Sequence, residues 1–399
     1  MIRIVGAGFS GLSLAYFFTK LGHPVTVIEK KSRTGGVISS EYRSNMLIES
    51  AANGFLASEK LEDLFDDIGV QPLSPKKESR KKYIFRNGLR RWPLSFDETI
   101  LLIGRVAVGF ITGGLKPRGQ ESLKDWAQRV LGLAGNDYLI QPMVNGIFAQ
   151  KTEILSAKLV LGSMFFKKRR KHLKGLISAP GGMGEVIQKL ESYLKNHGVL
   201  FVFNTDEKTQ PETLQHNTFL AIDFESAKSS FDFSKTQQPE MKKDDFKSLS
   251  LARVTLNFKN KVDQIDGFGV LFPNKENFFT LGVLANSKIF ENRGEYNESW
   301  ILGDSVLPDL MSLPDTQIIE KIKQDRLRIF ARAVEIKDVV IHRWANVVPS
   351  YDNVLRRFLD ENEKLTSHLS GNYLGVLGLS GIHERNSQIV NAYIERSKK

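Results

Sequence analysis

The chain has 399 residues, 41% hydrophobic and 25% charged, the balance of a soluble globular protein with room for two or three domains. It has no cysteine, which excludes disulfides, thiolate metal sites and cysteine nucleophiles, and its seven histidines show no metal-ligand spacing, so no metal is expected. A net charge of +11, concentrated at residues 76–91 and 167–174, favours anionic partners; no nucleic-acid module accompanies it, so none of those partners is expected to be nucleic acid.

The chain opens on a short apolar run, residues 2–5, that predicts a buried strand, and no signal peptide is expected before it. Gly6-Ala7-Gly8-Phe9-Ser10-Gly11 then forms a GxGxxG turn. Residues 12–21 predict a helix and residues 24–28 a second strand, closed by Glu29. Strand, glycine turn, helix, strand and acid make one βαβ unit for a dinucleotide. Gly6 lets the chain turn, Gly8 lets backbone approach a pyrophosphate, and Gly11 lets helix and strand pack closely. The helix N-terminus offers N–H groups to phosphate, and Glu29 follows at about the spacing of 20 residues expected for an acid on ribose hydroxyls.

Farther along, residues 59–68 predict a helix with Leu61, Leu64, Phe65 and Ile68 on one face. Residues 82–86 and the following Asn87-Gly88 predict a hairpin. The apolar stretch 99–115 carries Arg105; it reads as a core or substrate-channel helix, with a membrane-surface helix as the alternative. Ser122 caps a helix start, and Pro180-Gly181-Gly182-Met183-Gly184 leads into a helix over 185–196. Strands are expected at 200–203 and 218–222, an exposed loop at 228–247, and an antiparallel sheet from 253–258, 268–272 and 278–284. An amphipathic helix over 315–333, a buried strand over 372–377 ending at Gly378, and a final helix from 386, capped by Asn386, complete the chain.

Glu29-Lys30-Lys31-Ser32-Arg33-Thr34-Gly35-Gly36 resembles the ExxxRxGG extension of flavoproteins with two dinucleotide-binding domains. That resemblance names FAD as the cofactor and implies that Gly6, Gly8, Phe9, Ser10, Gly11, Glu29, Lys30, Arg33, Gly35, Gly36 and Gly378 line its site. More of the chain resembles one family, the oxygen-dependent protoporphyrinogen oxidases. The resemblance is carried by Lys82–Gly88 with Trp92-Pro93-Leu94, Gln141–Ala149 with Leu155-Ser156-Ala157, Pro180-Gly181-Gly182-Met183, and Phe268–Pro273 with Leu281-Gly282-Val283. Ser287, Phe290, Arg293, Arg343-Trp344 and Pro349-Ser350-Tyr351 extend it.

The resemblance implies an α/β fold in which a Rossmann-like FAD-binding domain (1–60, 180–225 and 340–399) carries an inserted antiparallel-sheet substrate domain (61–90 and 226–339). A helical membrane or substrate-channel domain (91–179) completes it. It implies oxidation of protoporphyrinogen IX to protoporphyrin IX, with molecular oxygen as acceptor. Hydride transfer is mediated by the flavin, so no catalytic side chain is assigned. Lys82 is implied as the propionate partner, with Lys81 and Arg86 nearby and Asn53 beside flavin and substrate; each of the basic residues reads equally as an exposed strand cation. Phe268, Leu281, Val283 and Trp344 are candidate pocket walls and equally candidate core. An anionic membrane surface and a ferrochelatase are the implied partners, and the implied location is the cytoplasm, peripheral on the inner face of the cytoplasmic membrane.

The chain departs from the family pattern in three places. Ala51-Ala52 replaces a Gly-Pro before Asn53, the region 199–224 is short, and Leu379 follows Gly378 where an acid or amide is expected, with His383, Glu384 and Arg385 as candidate replacement contacts. Another amine-oxidase or desaturase chemistry, and a non-catalytic FAD- or porphyrin-binding role, therefore stand as alternatives.

Overall fold

The apolar residues of 2–5 and 25–28 pair as parallel strands, joined through a helix that buries Leu12, Leu14, Ala15 and Phe18 against them. The right-handed crossover expected of such a unit brings the strand ends to one edge. In the computed structural model, which describes residues 1–164, 172–207, 216–230, 242–362 and 366–397, two further parallel strands complete the sheet. Its order is Thr218–Leu220, Ile2–Val5, Val25–Ile28, Leu200–Val202. The short middle region thus still supplies both edge strands.

Contacts divide the chain into two units. The first comprises Met1–Ser74, Lys167–Phe246 and Arg357–Lys399. Its core joins the N-terminal helix Phe9–Lys20 to the helix Gly182–Asn196 and to Ile389, Val390 and Tyr393 of the C-terminal helix Leu379–Ser397. The hairpin Ser40–Arg43/Met46–Glu49 and the pair Phe55–Leu56/Leu176–Ile177 also belong to this unit.

The second unit comprises Pro75–Phe166 and Lys247–Arg356. A seven-stranded sheet organises it, in the order Ile336–Pro349, Ser248–Phe258, Asn297–Gly303, Gly282–Leu284, Gly269–Leu271, Tyr83–Phe85, Leu89–Arg90. The hairpin turns through the three residues between paired Phe85 and Leu89, with Asn87 (φ +50°) and Gly88 (φ +118°) both at positive φ. Helix Asp315–Phe330 buries Ile318 and Ile322 against the sheet.

Several expectations are corrected. The helix Glu59–Asp67 falls in the first unit, because Leu61, Leu64 and Phe65 join the core of the parallel sheet. The strand Ile336–Pro349 runs unbroken across position 340 and pairs with Ser248–Phe258, so it falls wholly in the second unit. Residues 91–164 group with the large sheet rather than apart from it. Residues 372–377 are turns, not a strand, and the neighbouring sheet edge is met by a single bridge from Leu369 to Leu220. The C-terminal helix begins at Leu379, which leaves Asn386 inside it and buried; its amide donates to Ser10 O (2.9 Å), so it ties two helices rather than capping one. Helix Phe96–Ile111 has no buried residue, which overturns its core reading: among the described residues, its apolar side is left largely open. The basic cluster 167–174 and the loop 228–247 fall largely outside the described residues.

Candidate functional site

The three glycines of the first turn meet different surroundings. A Cβ on Gly6 would stand 2.3 Å from Ala221 O, and Gly6 also holds φ +103°. A Cβ on Gly11 would stand 1.8 Å from Gly6 O. The protein's own packing therefore demands both glycines. Gly8 is unlike them: its backbone is ordinary extended chain (φ −68°, ψ 176°), and a Cβ there would come no nearer than 4.0 Å, to Gly36 Cα. No described residue requires Gly8 to lack a side chain, so its backbone is open to approach from outside the fold.

What surrounds Gly8 suits an anion. The helix Phe9–Lys20 starts on Gly8 with no side-chain cap and no acid in its first turn, which leaves N–H groups and the positive dipole end free. Gly35 bridges to Gly8, and its N–H donates to Ala7 O (2.8 Å), so two glycine segments lie side by side. The Phe9 side chain is turned into the core against Phe55, with ring centroids 5.1 Å apart, and so offers only its backbone. Glu29 is buried at the end of its strand. Its two carboxylate oxygens accept from Ala7 N (2.7 Å) and Lys31 N (2.9 Å), leaving one acceptor direction on each for hydroxyl donors. Arg33 is braced on the glycine pair, donating to Thr34 O (2.9 Å) and Gly36 O (3.0 Å). Lys30 lies at the surface, 3.4 Å from Asp223.

The C-terminal helix repeats the arrangement. Gly378 accepts from Ile382 N (3.0 Å) as the residue at the helix start, and a Cβ there would meet nothing within 4 Å. The first turn again holds no acid. The two helices are bound side by side by Asn386 to Ser10 and by Ser13 Oγ to His383 Nδ1 (2.8 Å). His383 is fully buried, with Phe17 at 4.6 Å, and its Nε2 faces Lys60 O (3.3 Å). Burial pushes its pKa down to about 3, so the ring is neutral, donating from Nε2 and accepting at Nδ1. His383 is therefore a core residue, not a replacement flavin contact.

In the second unit the candidates separate. Arg86 makes a two-pronged ion pair with Glu98 (2.6 and 3.0 Å), donates to Pro93 O (2.8 Å), and stacks over Tyr138 at 4.0 Å. Glu98 is held down at about pKa 2 by that guanidinium and the Ser95 backbone. Arg86 is thus engaged in the hairpin's own structure. Lys81 pairs with Asp266 (2.5 Å). Lys82 is exposed, has no ion pair among the described residues, and its ammonium stands 5.4 Å from the Phe268 ring centroid. Leu281 and Val283 are core, whereas Phe268 and Trp344 are half-buried, Trp344 stacking on His342. Asn53 is half-buried in the first unit, just before Gly54, where a Cβ would meet Ile177 O at 2.3 Å.

Residues 4–68 match the NAD(P)-binding Rossmann-like domain family. Over 93% of its length the chain is 23% identical to protoporphyrinogen oxidase 2, chloroplastic/mitochondrial, of Arabidopsis thaliana, covering 88% of that protein. It is 20% identical to the coproporphyrinogen III oxidase of Bacillus subtilis (strain 168), covering 96% of this chain and 94% of that one. In fold it is similar to putrescine oxidase bound to putrescine (TM-score 0.72, 15% identity, 98% of each chain). Its fold is thus that of FAD-dependent, amine-oxidase-like flavoproteins. A reduced UDP-galactopyranose mutase shares this fold at a TM-score of 0.77 and 12% identity, over 100% of this chain and 96% of that one. The same architecture therefore carries more than one chemistry. The open backbone at Gly8 and the uncapped helix start have the chemistry that a pyrophosphate needs, and they lie where the sequence motif leads one to expect it. Sequence reasoning missed that Gly378 heads a second uncapped helix, whose signal was a glycine directly before an apolar helical run.

Proposed function

We propose that this flavoprotein oxidises a porphyrinogen, protoporphyrinogen IX first, with molecular oxygen as the final acceptor. The observation that supports this most is the likeness to protoporphyrinogen oxidases along 93% of the chain and 88% of the relative. FAD, when bound, supplies the hydride acceptor for the methylene bridge of the macrocycle. Gly8 would admit the pyrophosphate, the backbone N–H groups of Phe9, Ser10 and Gly11 would carry its charge, and Glu29 would accept from ribose hydroxyls. Arg33, braced on the Gly35-Gly36 backbone, would direct its remaining N–H groups to the phosphates.

Lys82 supplies the substrate side of this reading. An unpaired ammonium held beside an aromatic ring suits a flat macrocycle bearing propionates: Phe268 offers a face and Lys82 a charge. Coproporphyrinogen III is a second substrate of the same chemistry, because a relative matched over 96% of the chain bears that name.

The test is porphyrin fluorescence from purified, FAD-loaded protein given each porphyrinogen in air. A flavin-dependent rate above autoxidation is expected. Lys82→Ala should raise KM on the order of tenfold with kcat unchanged, and Lys82→Arg should recover most of it. No rate with either porphyrinogen, with flavin bound, overturns the reading; the ratio of kcat/KM between the two names the substrate.

A further inference from the structure

The C-terminal helix Leu379–Ser397 turns Ile382, Asn386, Ile389, Val390 and Tyr393 inward, at spacings of four and three. An apolar residue is expected at every such position, yet Asn386 stands in the middle of the face, 1% exposed. A buried amide gives up its water and returns little net stability, and an apolar side chain of its size would pack there as well. What the amide adds is direction, because one end only donates and the other only accepts.

Both ends are used. Asn386 Nδ2 donates to Ser10 O (2.9 Å), in the first turn of helix Phe9–Lys20. Asn386 Oδ1 accepts from Ser370 Oγ (2.6 Å). Ser370, also 1% exposed, donates its N–H to Leu220 O (2.8 Å) at the end of strand Thr218–Leu220. The next residue, Ala221, is the wall against which the glycine turn is fitted: a Cβ on Gly6 would stand 2.3 Å from Ala221 O, and one on Gly11 3.3 Å from Ala221 Cβ. One side chain of the C-terminal helix therefore grips the glycine turn from two directions, through the helix that leaves it and through the strand beside it.

The tie joins two parts of one ligand site. Gly8 opens the start of the first helix to a pyrophosphate, Gly378 opens the start of the C-terminal helix, and neither helix has an acid in its first turn. FAD carries its phosphates near its middle and its flavin at one end, so a protein that holds both parts must fix the spacing between the two helix starts. A ligand held at two places gains over its half only as far as that spacing is kept. The geometry points to Asn386 as the positioning residue that keeps it, setting the register of the two helix starts through Ser10 and Ser370. Buried as it is, Asn386 acts through these partners and not on the ligand. The inference rests on FAD occupying both helix starts and is independent of which substrate the flavin oxidises.

The test compares FAD with ADP, its half, on the full-length apoprotein by calorimetry. The wild type should bind FAD more tightly than ADP. Asn386→Leu keeps the size of the side chain and removes its direction. It should leave ADP affinity within about twofold of the wild type while FAD affinity falls at least roughly tenfold, and the fluorescence anisotropy of the bound flavin should drop. Ser370→Ala, which lies outside both helices and frees Asn386 Oδ1, should give the same pattern at smaller size. Both affinities are read on folded protein, so a lowered unfolding midpoint in either variant does not disturb their ratio. Equal losses of ADP and FAD would reduce Asn386 to a support of the glycine turn and overturn the proposal. An Asn386→Leu protein that binds both as the wild type does, or a wild type that holds FAD no more tightly than ADP, overturns it too. Selective loss of FAD, alongside a flavin-loaded wild type that turns over no porphyrinogen, supports the inference and overturns the function proposed above.

Discussion

The glycine turn of the first unit and the hairpin of the second both rest on short motifs, but the motifs reach different distances. In the turn, each glycine's necessity is decided by atoms close by: Ala221 O beside Gly6, Gly6 O beside Gly11, and open space beside Gly8. In the hairpin, Lys82 and Arg86 are neighbours of the same charge, yet one is exposed and the other is clasped by a carboxylate from the following helix. A backbone motif thus specifies its own geometry, while a side-chain role is settled by whatever partner the fold delivers.

The sharpest way to break that contrast is inside the turn. Gly11→Ala drives a Cβ into Gly6 O and should cost about 3 kcal/mol or more of stability, read as a fall in the unfolding midpoint of the apoprotein. Gly8→Ala should leave apoprotein stability within roughly 0.5 kcal/mol while weakening FAD binding at least roughly tenfold, read by flavin titration. If Gly8→Ala binds FAD as the wild type does, the open position beside Gly8 does not receive the pyrophosphate.

A smaller effect tests the second helix start. Burial holds the folded-state pKa of His383 at about 3, against 6.5 for the free side chain. The unfolded chain therefore takes the proton first as pH falls, and stability declines below about pH 6.5. The slope approaches ~1.4 kcal/mol per pH unit and levels off near pH 3. His383→Gln should remove this contribution, giving a flatter denaturant midpoint against pH across that window. An unchanged slope would mean that other groups carry the acid sensitivity and that His383 is not the buried neutral ring described.

Legibility follows the same division. The first βαβ unit could be read because its strands, turn and acid are contiguous and obey a fixed spacing. The strand Asn297–Gly303, central to the large sheet, could not: it buries Asn297, Glu298 and Ser299, which find partners in Arg293 O, Arg326 and Arg253, all distant or unpredictable from alternation. Leu281 and Val283 matched a motif but lie in the core, because a motif records which residues recur and not what they face. The apolar run at 99–115 was ambiguous for a related reason, since leucines and isoleucines read alike whether protein or lipid covers them.

The smallest predicted effect separates Arg86 from Lys82. The Arg86 guanidinium and the Ser95 backbone hold Glu98 at about pKa 2, below its usual 4.5. The pair's contribution is therefore complete above pH 4.5 and is lost as pH falls toward 2. With both side chains only partly exposed, it is worth about 1 kcal/mol. Glu98→Gln should lower stability by about that amount at neutral pH, with the difference from wild type vanishing in acid. Arg86→Lys should lose part of it, since an ammonium cannot make the fork. Lys82→Ala, by contrast, should leave stability unchanged and act on KM alone. Should Arg86→Lys instead raise KM at constant stability, the ion pair with Glu98 opens when substrate binds, and the carboxylate-binding role passes from Lys82 to Arg86.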